Sequence, residues 1–194
     1  MTHVLRLDAT IKSDGSVSKQ LTDRISERFS KAGAAITSRD LSAGISMIDG
    51  AWMGAVFTPA DQRSAEQAKI AAESDAYLAE LQAADVILLG LPIYNFAVPA
   101  QVKSWFDHVA RQGVTFEYTE TGPRGLLSGK RAIVAMSSGG TTLGSDIDFA
   151  SGWVRHMFGF MGITDVEFIA ADNMAVAAEE SLHAAFDAAD KLAA

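Results

Sequence analysis

Val86-Ile87-Leu88-Leu89-Gly90-Leu91-Pro92-Ile93-Tyr94-Asn95-Phe96 decides how this chain is read. An uninterrupted apolar run meets a proline, and an aromatic-amide-aromatic turn follows. A strand with no polar face belongs in a parallel sheet covered on both sides. The carboxyl edge of such a sheet is where open α/β proteins bind ligands. Tyr94, Asn95 and Phe96 therefore stand where a site is expected. The same letters also suit a plain turn with both rings packed into the core.

Outward from this strand, short β-like runs alternate with longer helical patterns. Strands are expected over residues 3–8, 34–40, 85–91, 131–137 and 166–171. Helices are expected over 16–31, 59–83, 99–111, 145–161 and 175–193. In the first helix, Val17, Leu21, Ile25 and Phe29 share one face at i, i+4 spacing. In the second, Ile70, Tyr77, Leu78 and Leu81 are the buried candidates. Proline opens the third. Residues 42–58, rich in Gly and Met, read as irregular. Residues 114–125 read as an insertion, with a hairpin as its simplest form. The alternation predicts an α/β, doubly wound, five-stranded parallel sheet with helices on both faces. The 194 residues suffice for one domain, 1–194, with no linker or repeat.

Composition narrows the function classes. A hydrophobic share of 48% with 21% charged residues is that of an ordinary soluble globular protein. No apolar run approaches the roughly 18–20 residues of a membrane helix, so no membrane partner is expected. No secretory signal pattern opens the chain, and a cytoplasmic protein is expected. Cysteine is absent, which excludes disulfides and thiolate metal sites. A net charge of −8 speaks against nucleic acid as a partner. His3, His108, His156 and His183 are scattered and read as surface or interface histidines, with no metal site. No Gly-x-Ser-x-Gly elbow is present. Asp8, Asp40 and Asp107 read as surface or capping carboxylates. Trp105, Trp153, Phe158 and Phe160 read as core, with a dimer interface as the rival reading.

Three loops should open on one sheet edge. The first, residues 9–16, ends in hydroxyls at the start of a helix: Thr10, Ser16 and Ser18, with Val17 between the serines. Unpaired N–H groups and partial positive charge make a helix start an anion cradle. Capping alone would also use Ser16 or Ser18. The second loop, Pro92, Ile93, Tyr94, Asn95 and Phe96, offers flat apolar faces and an amide edge, which suit a flavin ring. The third, Ser137, Ser138, Gly139 and Gly140, lets backbone approach a ligand, or simply turns the chain. Their convergence is a stronger signal than any one of them.

Taken together, these segments resemble the FMN-dependent NADH-azoreductases, also described as NADH:quinone oxidoreductases, of the flavodoxin-like superfamily. The similarity runs from Val4-Leu5-Arg6-Leu7 to the last helix. It is most specific in Pro92-Ile93-Tyr94-Asn95-Phe96 and in residues 113–123 and 159–166. The resemblance implies strand order 2-1-3-4-5 and a homodimer with one FMN per subunit at the dimer interface. It implies Thr10, Ser16, Val17 and Ser18 at the FMN phosphate. Pro92, Ile93, Tyr94, Asn95 and Phe96 would line the ring, with Ser137, Ser138, Gly139 and Gly140 at its other edge. Phe96, Tyr118 and Phe160 would shape a substrate pocket across the interface. No catalytic side chain is implied, because the flavin carries the chemistry. The implied reaction is ping-pong, two-electron transfer from NADH or NADPH to quinones and aromatic azo compounds. The chain departs from the family where Val17 replaces a frequent Gln and where Ser138 replaces an Arg of some members. Residues 141–148 match poorly and are expected to tune the pocket. The competing reading is a flavodoxin-like electron carrier without turnover of its own. Net charge −8 suits that reading, since acidic carriers dock on basic reductases.

Overall fold

A computed structural model describes residues 1–194. β1 (His3–Asp8) leads into α1 (Val17–Lys31), whose Leu21, Ile25 and Phe29 are buried on one side as their spacing requires. Gly33, at φ 88°, closes this helix in a Schellman turn. Its N–H donates to Ser30 O and that of Ala34 to Phe29 O, both at 2.9 Å. β2 (Ala35–Asp40) follows.

Three helical expectations change at this level. Residues 42–58 are not irregular throughout, because they contain α2 (Gly50–Phe57). Asp49 caps it, its carboxylate accepting from Trp52 N–H at 2.7 Å. Two glycines among eight residues hide this helix from propensity. The helix expected from Pro59 begins later, as α3 (Ala65–Ala83). Ser64 and Gln67 form a capping box that fixes its start, and Pro59 precedes only a short 3-10 turn. β3 (Val86–Pro92), buried along its whole length, and α4 (Ala100–Val109) follow. β4 (Phe116–Thr119) and β5 (Gly122–Gly125) pair antiparallel as the hairpin of the insertion. β6 (Arg131–Ser137) keeps its expected bounds. The helix expected over 145–161 is shorter, α5 (Ser151–Phe160). Asp148 intervenes by accepting the N–H groups of Ala150 at 3.0 Å and Ser151 at 2.9 Å. β7 (Asp165–Ala171) and α6 (Ala178–Lys191) complete the chain.

The main sheet runs β2-β1-β3-β6-β7, all parallel. With the hairpin strands set aside this is the order 2-1-3-4-5. Along β3, Ile87, Leu89 and Leu91 face a core built with α3, α4 and α5, while Val86 and Leu88 face one built with α1 and α6. Helices thus cover both faces, which is why no strand position in β3 is polar. Trp105 and Phe158 are fully buried core residues, and Trp153 packs edge-on against Phe106 at 5.2 Å. No helix is long and apolar enough to cross a membrane.

One histidine departs from the surface or interface position expected of it. His108 is buried, its Nε2–H donating to Ser46 O at 2.8 Å. Ser104 Oγ donates to the same carbonyl at 2.7 Å. This clamp on Ser46 fixes the segment that enters α2. Its polar partner is a backbone carbonyl 62 residues away, and no local pattern announces that.

Candidate functional site

The loops after β1, β3 and β6 meet at the carboxyl edge of the sheet, where β1 and β3 adjoin and their connections leave in opposite directions. This is the topological switch point of the fold. A cavity of about 190 Å³ opens there. Thr10, Ser16, Val17, Pro92, Ile93, Tyr94, Ser137, Ser138 and Gly139 line it, together with Lys12 and Met174. Lys12 is the sole charged residue of that lining, in a chain of net charge −8.

The floor of the cavity is the start of α1. Ser16 caps the helix, accepting from Lys19 N–H at 3.4 Å, and its Oγ lies 3.2 Å from that of Ser18. The N–H groups of Val17 and Ser18 have no intrahelical carbonyl to reach. No acidic residue occupies the first turn. The capping reading and the cradle reading of Ser16 are therefore compatible. Its side chain serves the helix, while the neighbouring N–H groups stay available to an anion. Ser18 is buried behind Ser16 and does not line the cavity.

One wall is the turn after β3. Tyr94 and Ala97 exchange N–H···O bonds of 3.2 Å each way, with Asn95 at φ 50° and Phe96 at φ 68° between them. Both central residues are left-handed, as in a type I′ turn. Asn tolerates this region, whereas Phe at positive φ is strained. The turn expels Asn95 and Phe96 from the cavity to its exposed rim. Their N–H groups make no backbone bond and remain open to a ligand edge. Tyr94 turns inward instead, and its hydroxyl accepts from Ile11 N–H at 3.1 Å.

The opposite wall is Ser137–Gly140, held by the last residue of β7 and the chain beyond it. Ser138 N–H donates to Ala171 O at 3.1 Å, Met174 N–H to Ser138 O at 3.0 Å, and Ala175 N–H to Gly139 O at 2.8 Å. Gly139 and Gly140 keep free N–H groups, and Gly140 lies at the rim, outside the cavity lining. The following loop is tied down by Asp148, which also accepts from Gly144 N–H and Ser151 Oγ. Burial alone would raise the Asp148 carboxyl, but the hydrogen bonds from Ser151, Gly144 and Ala150 hold it below its ordinary value. Phe149 N–H donates to Phe96 O at 3.2 Å, joining this loop to the aromatic turn.

Tyr118 and Phe160 do not reach this cavity within one chain. They join Phe116 in an aromatic cluster, with ring centroids 5.6 Å (Phe116–Tyr118) and 4.4 Å (Phe116–Phe160) apart. Backbone packing supports that cluster, with Leu127 N–H donating to Met161 O at 2.8 Å. A Cβ on Gly125 would fall 2.1 Å from Gly162 N, so only glycine lets the hairpin approach α5. Tyr118 also lines a second groove of about 300 Å³, between α2, α4 and the hairpin.

Lys12 and Met174 escaped the sequence reading. Lys12 lies within the loop that leads to the cradle, so a basic residue in that loop was the available signal. Met174 follows the fifth parallel strand, whose carboxyl end must share the same edge.

An α/β sheet with an acid-free, hydroxyl-rich cradle at its switch point defines a nucleotide-binding flavodoxin-like protein. A family model described as the flavodoxin-like fold matches residues 2–193. An FMN-dependent NADH:quinone oxidoreductase of Cereibacter sphaeroides is 54% identical over 196 aligned positions, covering 100% of both chains. A protein of the same designation from Jannaschia sp. is 58% identical over 176 positions, covering 91% of each. Among solved structures, an azoreductase from Bacillus anthracis superposes with TM-score 0.89 at 27% identity, covering 98% of each chain. This chain belongs to the flavodoxin-like family of FMN-dependent NADH:quinone oxidoreductases.

Proposed function

We propose that this protein is an FMN-dependent oxidoreductase that passes two electrons from NADH to quinones and aromatic azo compounds. The observation that carries the reading is the cradle at the start of α1: two free N–H groups, buried hydroxyls and Lys12, with no carboxylate in the lining. That donor set fits the phosphate of FMN. The cavity is smaller than the roughly 300–1,000 Å³ of whole-ligand pockets. It therefore suits the phosphate end, with the ring system across the rim.

When bound, FMN supplies the redox chemistry, accepting electrons from NADH and delivering them to the acceptor. Thr10, Ser16, Val17 and, through its backbone N–H alone, Ser18 would hold its phosphate. Pro92, Ile93, Tyr94, Asn95 and Phe96 would line the ring on one side, and Ser137, Ser138, Gly139 and Gly140 on the other. The free N–H groups of Asn95, Phe96, Gly139 and Gly140 supply donors for a polar ring edge.

The active unit we infer is a homodimer of one-domain chains, 1–194, working in the cytoplasm. Tyr118 and the half-buried Phe160 stand apart from the cradle of their own chain, which supports their use at a partner's site. Ultracentrifugation beside an activity assay tests this reading, which requires activity to follow the dimer on dilution. An electron-carrier function would instead require a separate reductase for NADH oxidation. The groove and hairpin support a chain with its own acceptor site.

A further inference from the structure

Beside the cradle, a polar groove of about 370 Å³ opens at the carboxyl ends of β1 and β2. Asp8 and Asp40, the last residues of those strands, lie side by side in the parallel register and line it. Thr10 and Lys12 line both this groove and the cavity, so the two adjoin. A ligand that seats a phosphate in the cradle therefore has a way on, past Lys12.

Most charges of the groove are already matched. Asp8 accepts from Thr22 Oγ1 at 2.6 Å on Oδ1 and from Arg6 Nε at 2.7 Å on Oδ2. Lys19 Nζ donates to both oxygens of Asp23, at 2.9 and 3.1 Å. Two groups are left over. The one donor that Lys12 uses within the chain is its backbone N–H, to Thr10 Oγ1 at 3.2 Å, so its ammonium has no partner. Asp40 spends Oδ1 on the N–H and the hydroxyl of Ser42, at 2.8 and 2.7 Å, and its Oδ2 accepts nothing. The free cation thus stands at the boundary with the cradle, and the free carboxylate oxygen at the end of β2. Ile11, 64% exposed, is the one apolar residue of the lining.

We propose that this groove is a subsite for adenosine 5′-phosphate joined to the flavin phosphate, so that the chain accepts FAD as well as FMN. The inference rests on the flavin reading above and widens its cofactor. A diphosphate that leaves the cradle meets Lys12, whose unpaired charge offsets the second phosphate. A ribose diol offers hydroxyl donors to a carboxylate. In doubly wound dinucleotide folds, a carboxylate beyond the cradle takes the ribose hydroxyl. Asp40 Oδ2 is the free acceptor of that kind here. Cation then carboxylate along the groove repeats the order phosphate then ribose along the ligand. Ile11 offers the adenine an apolar surface. The groove's volume lies within the roughly 300–1,000 Å³ of ligand pockets.

Calorimetry on flavin-stripped protein tests this without turnover. The titrants are FMN, FAD and an FAD analogue built on 2′-deoxyadenosine. FAD should bind within about tenfold of FMN, and the deoxy analogue about fivefold more weakly than FAD. Asp40→Asn keeps an oxygen for Ser42. It should weaken FAD by about fivefold and leave FMN unchanged. Removal of a negative charge near a phosphate site would by itself tighten both flavins, so the sign separates a ribose contact from a field effect. In the Asn variant, FAD and the deoxy analogue should bind alike, because both changes delete one interaction. If Asp40→Asn fails to fold, Ile11→Ser is the second probe. Its backbone N–H still reaches Tyr94, and FAD alone should weaken. FAD bound more weakly than that tenfold margin, an effect of Asp40→Asn or Ile11→Ser shared equally by both flavins, or a deoxy analogue held as tightly as FAD by the parent protein would each overturn the proposal. Failure to bind FMN at all would refute the flavin reading instead. Tight FMN with no uptake of FAD would refute the subsite alone.

Discussion

Ile11 donates its backbone N–H to the hydroxyl of Tyr94 at 3.1 Å, tying the loop after β1 to the turn after β3. One bond thus links the proposed phosphate side of the cradle to its proposed ring side. Tyr94→Phe removes the acceptor and keeps the ring. The expected loss is about 1 kcal/mol, seen as FMN binding weakened by about fivefold in a fluorescence-quenching titration. FMN affinity equal to that of the parent protein would show that the two loops are positioned independently.

The cradle can be strengthened as well as weakened. Val17 lines the cavity at the first helical position. Val17→Gln adds an amide donor facing the phosphate and should tighten FMN binding several-fold. Ser16→Ala should do the reverse and also lower thermal stability, because it removes a helix cap worth about 1 kcal/mol. A Gln variant that binds FMN no better would place the phosphate elsewhere.

Gly125 is held against Gly162 so closely that a methyl group would overlap backbone. Gly125→Ala should therefore destabilise the protein by about 3 kcal/mol or shift the hairpin. Phe116, Tyr118 and Phe160 then lose their register. Quinone reduction should fall further than FMN affinity, since the cradle lies on other elements. Equal loss of both, measured on the same preparation, would contradict the division of labour.

That division was only partly legible in the sequence. The five parallel strands stood out by their alternation with helical patterns, and β3 above all, because Val86–Leu91 carries no polar face, as burial on both sides demands. The three loops followed from topology, since strand ends fix their edge. α2 was hidden by Gly50 and Gly54, whose low helical propensity is offset by the Asp49 cap and packing against α3. The start of α5 was set by Asp148, a loop carboxylate whose capping bonds outweigh the helical pattern upstream. The rim position of Asn95 and Phe96 depends on two positive φ values that the letters do not announce.

The Asp148 carboxyl gives the loop after β6 a pH dependence of known sign. Its folded value lies below its ordinary one of 3.8. Such a group adds stability that is fully present above the unfolded pKa and is lost as pH falls through the folded one. The loop should therefore be firm from neutral pH down to about pH 5, then loosen below about pH 4. Asp148→Asn should flatten that acid limb, with hydrogen exchange at Gly144 and Ser151 as the readout. An unchanged acid limb would mean that other carboxylates control it.

The central claim is that this chain binds FMN and turns over by itself. Purified protein is stripped of flavin, reloaded with FMN, separated from free flavin, and mixed with NADH and a quinone. The account predicts one FMN retained per chain and NADH oxidation that needs both the flavin and the quinone but no added reductase. Failure to retain FMN, or NADH oxidation only after a separate reductase is supplied, would contradict it.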